Sequence, residues 1–336
     1  MILVTGATGY VGGNLVRRLL QDGHKVRVLV RQKTRNVAIE GLDVDRVYGD
    51  LLDLPSVMSA VRGCDRIYHC AALVSIGRAK LRELYENNVT ATRHLLHAAK
   101  EANVSRVVAT GSVEAVTFDP PRPIDEGMGL YPFGKPMPYA LAKAFAEHEC
   151  LKAVVEGLDV VIVVPTGIIG PNDFKPSPMG KVLIDFAHRK MPAYIPGGTD
   201  FSAMKDIVEG HILAMDKGRA GQKYIFSTEF LTMDEVMSIF AEVTGVAAPR
   251  LKLPPGLMMG VAEVVSFFVT RFSPGTELPL TPDAVRIVRM QRKVDCSKAK
   301  NELGFQPASI RQAIQDAYDC FVRRGVIKLP RKRVYA

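Results

Sequence analysis

Three glycines at fixed spacing constrain this chain most. They lie in Gly6-Ala7-Thr8-Gly9-Tyr10-Val11-Gly12, with the apolar run Ile2–Thr5 before them and a helical pattern over Tyr10–Gln21 after. A strand that turns directly into a helix needs glycine for three separate reasons: a tight turn, close approach of backbone to a ligand, and close helix–strand packing. Gly6, Gly9 and Gly12 are spaced for these three tasks. A helix start offers free N–H groups and a positive dipole end to an anion, so Thr8, Tyr10 and Val11 join the glycines as candidate pyrophosphate contacts.

A second strand is expected over Lys25–Val30, and the residue at its end selects between dinucleotides. An acid there accepts from a ribose 2′-hydroxyl. Here the residue is Arg31, followed by Lys33 and Arg35. A cation in place of an acid stabilises a 2′-phosphate, so the expected cofactor is NADP(H).

The alternation continues. Strand-like runs over Arg66–Cys70, Arg106–Thr110 and Asp159–Val164 interleave with helical stretches over Ser56–Arg62, Leu81–Ala102 and Tyr139–Glu156. In the last of these, Ala142, Phe145, Ala146, Glu149, Cys150 and Ala153 recur with a helical period. Unbroken Val/Ile runs are strands buried on both faces, and β/α alternation implies a doubly wound parallel sheet. After about residue 170, prolines and glycines cluster and helical patterns dominate, among them Lys181–Arg189, Ile207–Lys217, Met233–Thr244, Leu257–Phe272, Pro282–Arg289, Ser297–Leu303 and Ile310–Arg324. The expected division is a dinucleotide-binding domain over 1–170, to which some later segments return, and a mostly helical substrate lobe with a basic tail over 171–336.

Composition narrows the class. With 47% hydrophobic and 24% charged residues, the chain is neither disordered, collagenous nor a coiled-coil rod. Five scattered cysteines give no disulfide framework, and neither they nor the histidines show metal-ligand spacing, so no metal is expected. A strand beginning at Ile2 leaves no room for a secretory leader, and no apolar run reaches 18 residues. The expectation is a cytoplasmic protein. The net charge of +9 comes without a nucleic-acid motif, so no nucleic-acid partner is expected. Part of it lies in Arg323, Arg324, Lys328, Arg331, Lys332 and Arg333, read as a solvated run. Membrane-surface contact through this tail and the apolar 257–272 segment is the alternative.

Tyr139 and Lys143 stand four apart at the start of a helix, so both side chains can face one ligand. Ser112 follows the strand that ends at Thr110. A hydroxyl, a phenol and an ammonium together make a proton-transfer group. Tyrosine's phenol has a reference pKa of about 10, and the ammonium with an oxidised nicotinamide is expected to lower it.

These features, with Gly49-Asp50-Leu51, His69-Cys70-Ala71-Ala72, Asn88-Val89-Thr90, the Pro165–Pro171 run, Lys205–His211 and Val294–Pro307, resemble the extended short-chain dehydrogenase/reductase family over nearly the whole chain. The resemblance is greatest to dihydroflavonol-reductase-like and 3β-hydroxysteroid-dehydrogenase-like reductases. It implies a Rossmann-type fold and a set of roles. Ser112 hydrogen-bonds the substrate carbonyl, Tyr139 supplies its proton, and Lys143 holds the nicotinamide ribose and tunes Tyr139. Asp50 and Leu51 contact adenine, Ala71 and Ala72 line the cofactor path, Asn88 supports the active-site helix, and Pro165 and Ile168 lie by the nicotinamide. It also implies a homodimer through the helices over Leu81–Ala102 and Tyr139–Glu156. Two departures stand out: Gly111 replaces a hydroxyl residue, and Val164-Pro165-Thr166 lacks the arginine that sugar epimerases often carry before the proline.

The expected function is therefore an NADPH-dependent reductase of a ketone or aldehyde, or the reverse alcohol dehydrogenase, acting on an apolar small molecule. Phe118, Tyr131, Phe133, Phe174 and Met179 are the candidate apolar lining. His69 and His211 read as packing residues. The alternatives are a hydride-shuttle epimerase or dehydratase acting on a sugar nucleotide, and a non-catalytic NADP-sensing protein.

Overall fold

The computed structural model describes residues 1–32, 36–75, 80–118, 121–130, 137–254, 256, 258–260, 262–265 and 281–328. Strand β6 (Val160–Pro165) is buried at all six positions. An unbroken β-branched run of this kind is stable only in a sheet covered on both faces. It belongs to a sheet of seven parallel strands in the order β10 (Lys223–Phe226), β6, β5 (Arg106–Thr110), β4 (Arg66–His69), β1 (Ile2–Thr5), β2 (Val26–Val30) and β3 (Asp45–Tyr48).

Helices cover both faces. On one, α1 (Tyr10–Gln21) packs beside α7 (Met204–Lys217), burying Leu15, Val16, Leu19 and Ile207 against Val4 and Val28. On the other, α2 (Leu54–Val61), α4 (Ala91–Glu101) and α5 (Pro138–Val155) bury Val57, Leu95, Leu96 and Cys150 against Leu3, Ile67 and Val107. A short helix α3 (Leu81–Tyr85) runs into α4 through a wider π-helical turn over Glu86–Thr90.

The chain proceeds from β1 outward to β3, then crosses back to place β4 on the other side of β1. The crevice between the carboxyl ends of β1 and β4, where Thr5 pairs with His69, is the topological switch point at which such sheets bind ligands.

A third core lies in the remainder of the chain. It joins α6 (Pro178–Ala187), α8 (Met233–Thr244) and helix Ile310–Arg323 through Leu183, Phe240, Ile314 and Phe321. Phe186 and Phe240 meet edge to face at 5.5 Å. This region also carries strands that the helical pattern did not predict. β7 (Gly167–Ile169), β9 (Gly198–Ala203) and β11 (Glu229–Thr232) form a sheet in the order β11–β9–β7, and β8 (Ala193–Tyr194) pairs with β12 (Leu251–Lys252). The polar residues of β9 hid it. Asp200 and Ser202 are buried, yet Asp200 accepts from Ser227 and from the Val294 N–H, and Ser202 donates to the Phe226 carbonyl at 2.7 Å.

Among the described residues no helix is long and apolar enough to cross a membrane, no cluster of three potential metal ligands exists, and all five cysteines are free.

Candidate active site

The glycine turn is tight for visible steric reasons. Gly6 has φ +71°, and a side-chain carbon there would sit 2.5 Å from the Ala71 nitrogen. A side chain at Gly12 would collide with the Gly6 carbonyl. These contacts bring β1, α1 and the end of β4 together with no side chain between. Gly9 caps α1 in an extended conformation, and no side chain bonds the helix start. The first-turn amides of Tyr10, Val11 and Gly12 are thus open to an anion. Thr8 is half-buried beside them. The Tyr10 hydroxyl is turned away: it donates to the Gly170 carbonyl at 2.7 Å. Asn14 adds a bond to the Pro171 carbonyl, so α1 is tied to the chain where it leaves the sheet.

Arg31 is exposed at the end of β2 and has no ion-pair partner among the described residues. Lys33 and Arg35 lie outside them. Asp50 caps the Leu52 N–H at 3.0 Å, and Leu51 is half-buried with its carbonyl bonded to His94. A turn with an open helix start and a half-buried Leu51 near it fits a dinucleotide.

Asn88 is almost fully buried in the π-helical turn. Its amide accepts from the Leu73 N–H at 2.7 Å and donates to the Leu73 carbonyl at 3.1 Å. Its side chain therefore grips the segment after Ala71 and Ala72, while the turn that carries it packs on α5. A buried hydrogen-bond chain holds it. Thr92 donates to the Asn88 carbonyl, which leaves the Thr92 oxygen to accept from His69 Nε2, and His69 Nδ1 to accept from Thr5. Burial pushes the His69 ring down to about 3, helped by the Lys143 charge, so the ring is neutral.

Ser112, Tyr139 and Lys143 converge beyond the carboxyl end of β5. Ser112 caps the short turn Val113–Ala115, its oxygen accepting from Glu114 N–H at 3.3 Å. Its side chain lies near enough to Tyr139 to act on the phenol. Pro138 starts α5, where its missing N–H has no helical role, and puts Tyr139 in the first turn. Lys143 follows one turn later, 6% exposed, and donates to the Thr110 carbonyl at 2.5 Å. The Thr110 hydroxyl is held in turn. His211 Nδ1 donates to the Ile207 carbonyl, so Nε2 accepts from Thr110 at 2.8 Å. Burial lowers His211 to about 4.

Burial pushes the Tyr139 phenol up to about 12; the Ser112 side chain pulls it down and the Glu114 charge pushes it up. Burial thus acts against the lowering expected from the ammonium and an oxidised nicotinamide. In the protein alone, desolvation outweighs the pull of Ser112, and the phenol keeps its proton through the neutral range. Burial lowers Lys143 from its ordinary value. Cys70, beside them, is pushed up to about 12 by burial and stays a thiol.

Pro165 ends β6 against Phe226, and Ile168 lies in β7 paired with Ser202. Three residues of the candidate apolar lining are among the described ones. Phe174 is stacked between Arg17 at 5.3 Å and Arg324 at 4.4 Å, and Arg324 also donates to the Asp173 carbonyl. This ring is a clamp between α1 and the last helix. The same stack takes Arg324 out of the solvated tail run. Met179 packs on the third core and Phe118 on the second. Tyr131, Phe133, Leu257, Phe267, Phe268, Phe272 and the tail beyond Lys328 lie outside the described residues.

Two residues escaped the sequence reading. Arg292 is buried and paired with Glu114, two residues past Ser112. Glu147 is buried on the Ala142–Ala146–Cys150 side of α5 and paired with Lys223 at 3.1 Å. A carboxylate one turn after Lys143 among alanines was the available signal. Phe145, expected on that stripe, is 40% exposed.

Fold and site together define an oxidoreductase-type enzyme of the nicotinamide-dependent Rossmann class. The chain belongs to the NAD dependent epimerase/dehydratase family, whose model matches residues 2–226, and within it to the extended short-chain dehydrogenase/reductases. It is 42% identical to sterol demethylase protein B of Methylococcus capsulatus, over 97% of this chain and 99% of that protein. It is 35% identical to a putative dihydroflavonol 4-reductase of a Synechocystis species, over 97% and 95%. The crystal structure of gox2253 superposes with a TM-score of 0.83 at 32% identity, covering 98% of this chain and 99% of that one.

Proposed function

We propose that this chain is an NADP(H)-dependent oxidoreductase that interconverts a ketone or aldehyde with its alcohol on an apolar, fused-ring small molecule. The observation that carries the reading is the juxtaposition of Ser112, just past the end of β5, with Tyr139 in the first turn of α5, and Lys143 one helical turn behind it. The bound nicotinamide supplies or accepts the hydride. Ser112 orients the substrate oxygen, and Tyr139 delivers its proton in the reducing direction. Lys143, fixed by Thr110, holds the ribose side of the cofactor. Gly6, Gly9, Gly12 and the first-turn amides take the pyrophosphate. Arg31 takes the 2′-phosphate; its exposed guanidinium, without an ion-pair partner among the described residues, supports NADP(H) over NAD(H). The fused-ring class is supported by relatives named for sterol demethylation, dihydroflavonol reduction and 3β-hydroxysteroid dehydrogenation. A cytoplasmic homodimer belongs to the same reading.

The test follows the nicotinamide absorbance with NADPH and a panel of 3-ketosteroids and dihydroflavonols, against a parallel panel of nucleotide sugars. Net NADPH oxidation with a fused-ring ketone is expected. Conversion of a nucleotide sugar with no net absorbance change would replace this reading with an epimerase.

A further inference from the structure

A cavity of about 20 Å³ lies beneath the active site, lined by Lys143, Glu147, Thr110, His69, Thr92 and Cys150 among others. Its polar lining is mostly spoken for. Both nitrogens of His69 are bonded, Thr92 donates to Asn88, and Thr110 serves Lys143 and His211. Two groups keep spare capacity. Lys143 has further N–H donors beyond the one on Thr110. Glu147, 5% exposed, has its Oε1 on Lys223 while its Oε2 is buried without a hydrogen-bond partner. A buried carboxylate oxygen left unpaired is costly. The cavity exceeds the roughly 10–15 Å³ that one water requires, and its two unsaturated groups are a donor and an acceptor.

We propose that this cavity is a single-water site in which the water accepts from Lys143 Nζ and donates to Glu147 Oε2. Glu147 is thereby a positioning residue: it keeps Lys143 charged and aimed from the side opposite the substrate. The groups facing Lys143 agree with this. His69 is neutral, Cys70 and Cys150 are buried thiols, and the Glu147–Lys223 pair brings the nearby carboxylate. Lys143 and Glu147, four apart on α5, point to the same side of the helix. The inference rests on the reading of Lys143 as the cofactor-holding lysine.

The experiment is a lysine-selective ¹³C NMR titration of the ligand-free protein, with the Lys143 signal assigned through Lys143→Met. Glu147→Gln keeps shape and hydrogen bonding but removes the charge, so Lys143 should titrate about one pH unit lower than in the wild type. The double variant Glu147→Gln/Lys223→Met should keep that lowered value; full return to the wild-type value would assign the shift to Lys223 alone and overturn the proposal. An unchanged Lys143 titration in a folded Glu147→Gln variant would overturn it too. If Glu147→Gln fails to fold, a high-resolution crystal structure of the wild type decides, through density for a water within hydrogen-bond distance of both atoms or its absence. Failure of the parent reading looks different: Lys143→Met would leave NADPH affinity unchanged while the coupling of Lys143 to Glu147 persisted.

Discussion

The Lys143 ammonium donates to the Thr110 carbonyl at 2.5 Å, so the helix that carries Tyr139 is pinned to the last residue of β5. The strand that ends next to Ser112 and the helix that begins with Tyr139 are thereby held in one geometry. Replacing Lys143 by Met removes this bond and leaves the Thr110 carbonyl without its ammonium partner. NADPH affinity should fall about 10-fold or more, the range for a hydrogen bond to a charged group, and turnover should fall with it. Fluorescence titration of NADPH checks the first effect separately from the second.

Tyr139→Phe removes one oxygen and keeps the ring. The fold and NADPH affinity should survive, while carbonyl reduction falls about 10²–10⁴-fold, the contribution of a general acid. Steady-state turnover and thermal melting of the same preparation separate chemistry from stability.

The protonated phenol is the active form for reduction, so rate is retained below its pKa and lost as pH rises through it. With the phenol raised from 10.0 to about 12 by burial, kcat/KM for reduction should show no basic limb from Tyr139 through the neutral range. A limb near pH 8 that disappears in Tyr139→Phe would show that bound cofactor overrides burial.

Arg31→Ala should weaken NADP(H) binding by about 1.5–3 kcal/mol and leave NAD(H) binding nearly unchanged, because only the former carries the 2′-phosphate. Competitive titration of both cofactors against the variant is the measurement. An equal loss for both would return Arg31 to the role of a surface residue.

Phe174→Ala should act on stability, not on substrate affinity. The ring bridges Arg17 and Arg324, and its loss should cost about 1–2 kcal/mol, a cation–π contribution with some lost packing. Urea denaturation should show the shift while KM for any substrate stays within about two-fold, a change of less than one hydrogen bond's worth.

The glycine spacing, the Arg31 charge, and the Tyr139–Lys143 interval were legible because each depends on local geometry. A tight strand–helix turn tolerates only glycine at Gly6 whatever surrounds it, and residues four apart on a helix share a side. The central sheet was legible where its strands are continuous apolar runs, as in β6. It was not legible at β3, whose Asp45 and Tyr48 are exposed on the sheet edge, and in the second sheet β9 was hidden because its buried Asp200 and Ser202 read as loop residues. Their partners, Ser227, Val294 and Phe226, are distant in sequence, and no local pattern announces them. The same reason explains Phe174, an aromatic whose use depends on two arginines brought from opposite ends of the chain. It explains Tyr139 as well. Sequence placed the ammonium nearby, but only the packed structure set the desolvation that raises the phenol. Local sterics and periodicity thus determined the fold class and singled out the glycine turn, Arg31 and the Tyr139–Lys143 pair, while Asp50, Leu51, Ala71, Ala72, Asn88, Pro165 and Ile168 came from the family resemblance. Tertiary packing decided their charge states and hydrogen-bond partners, because burial and long-range pairing are properties of the assembled core.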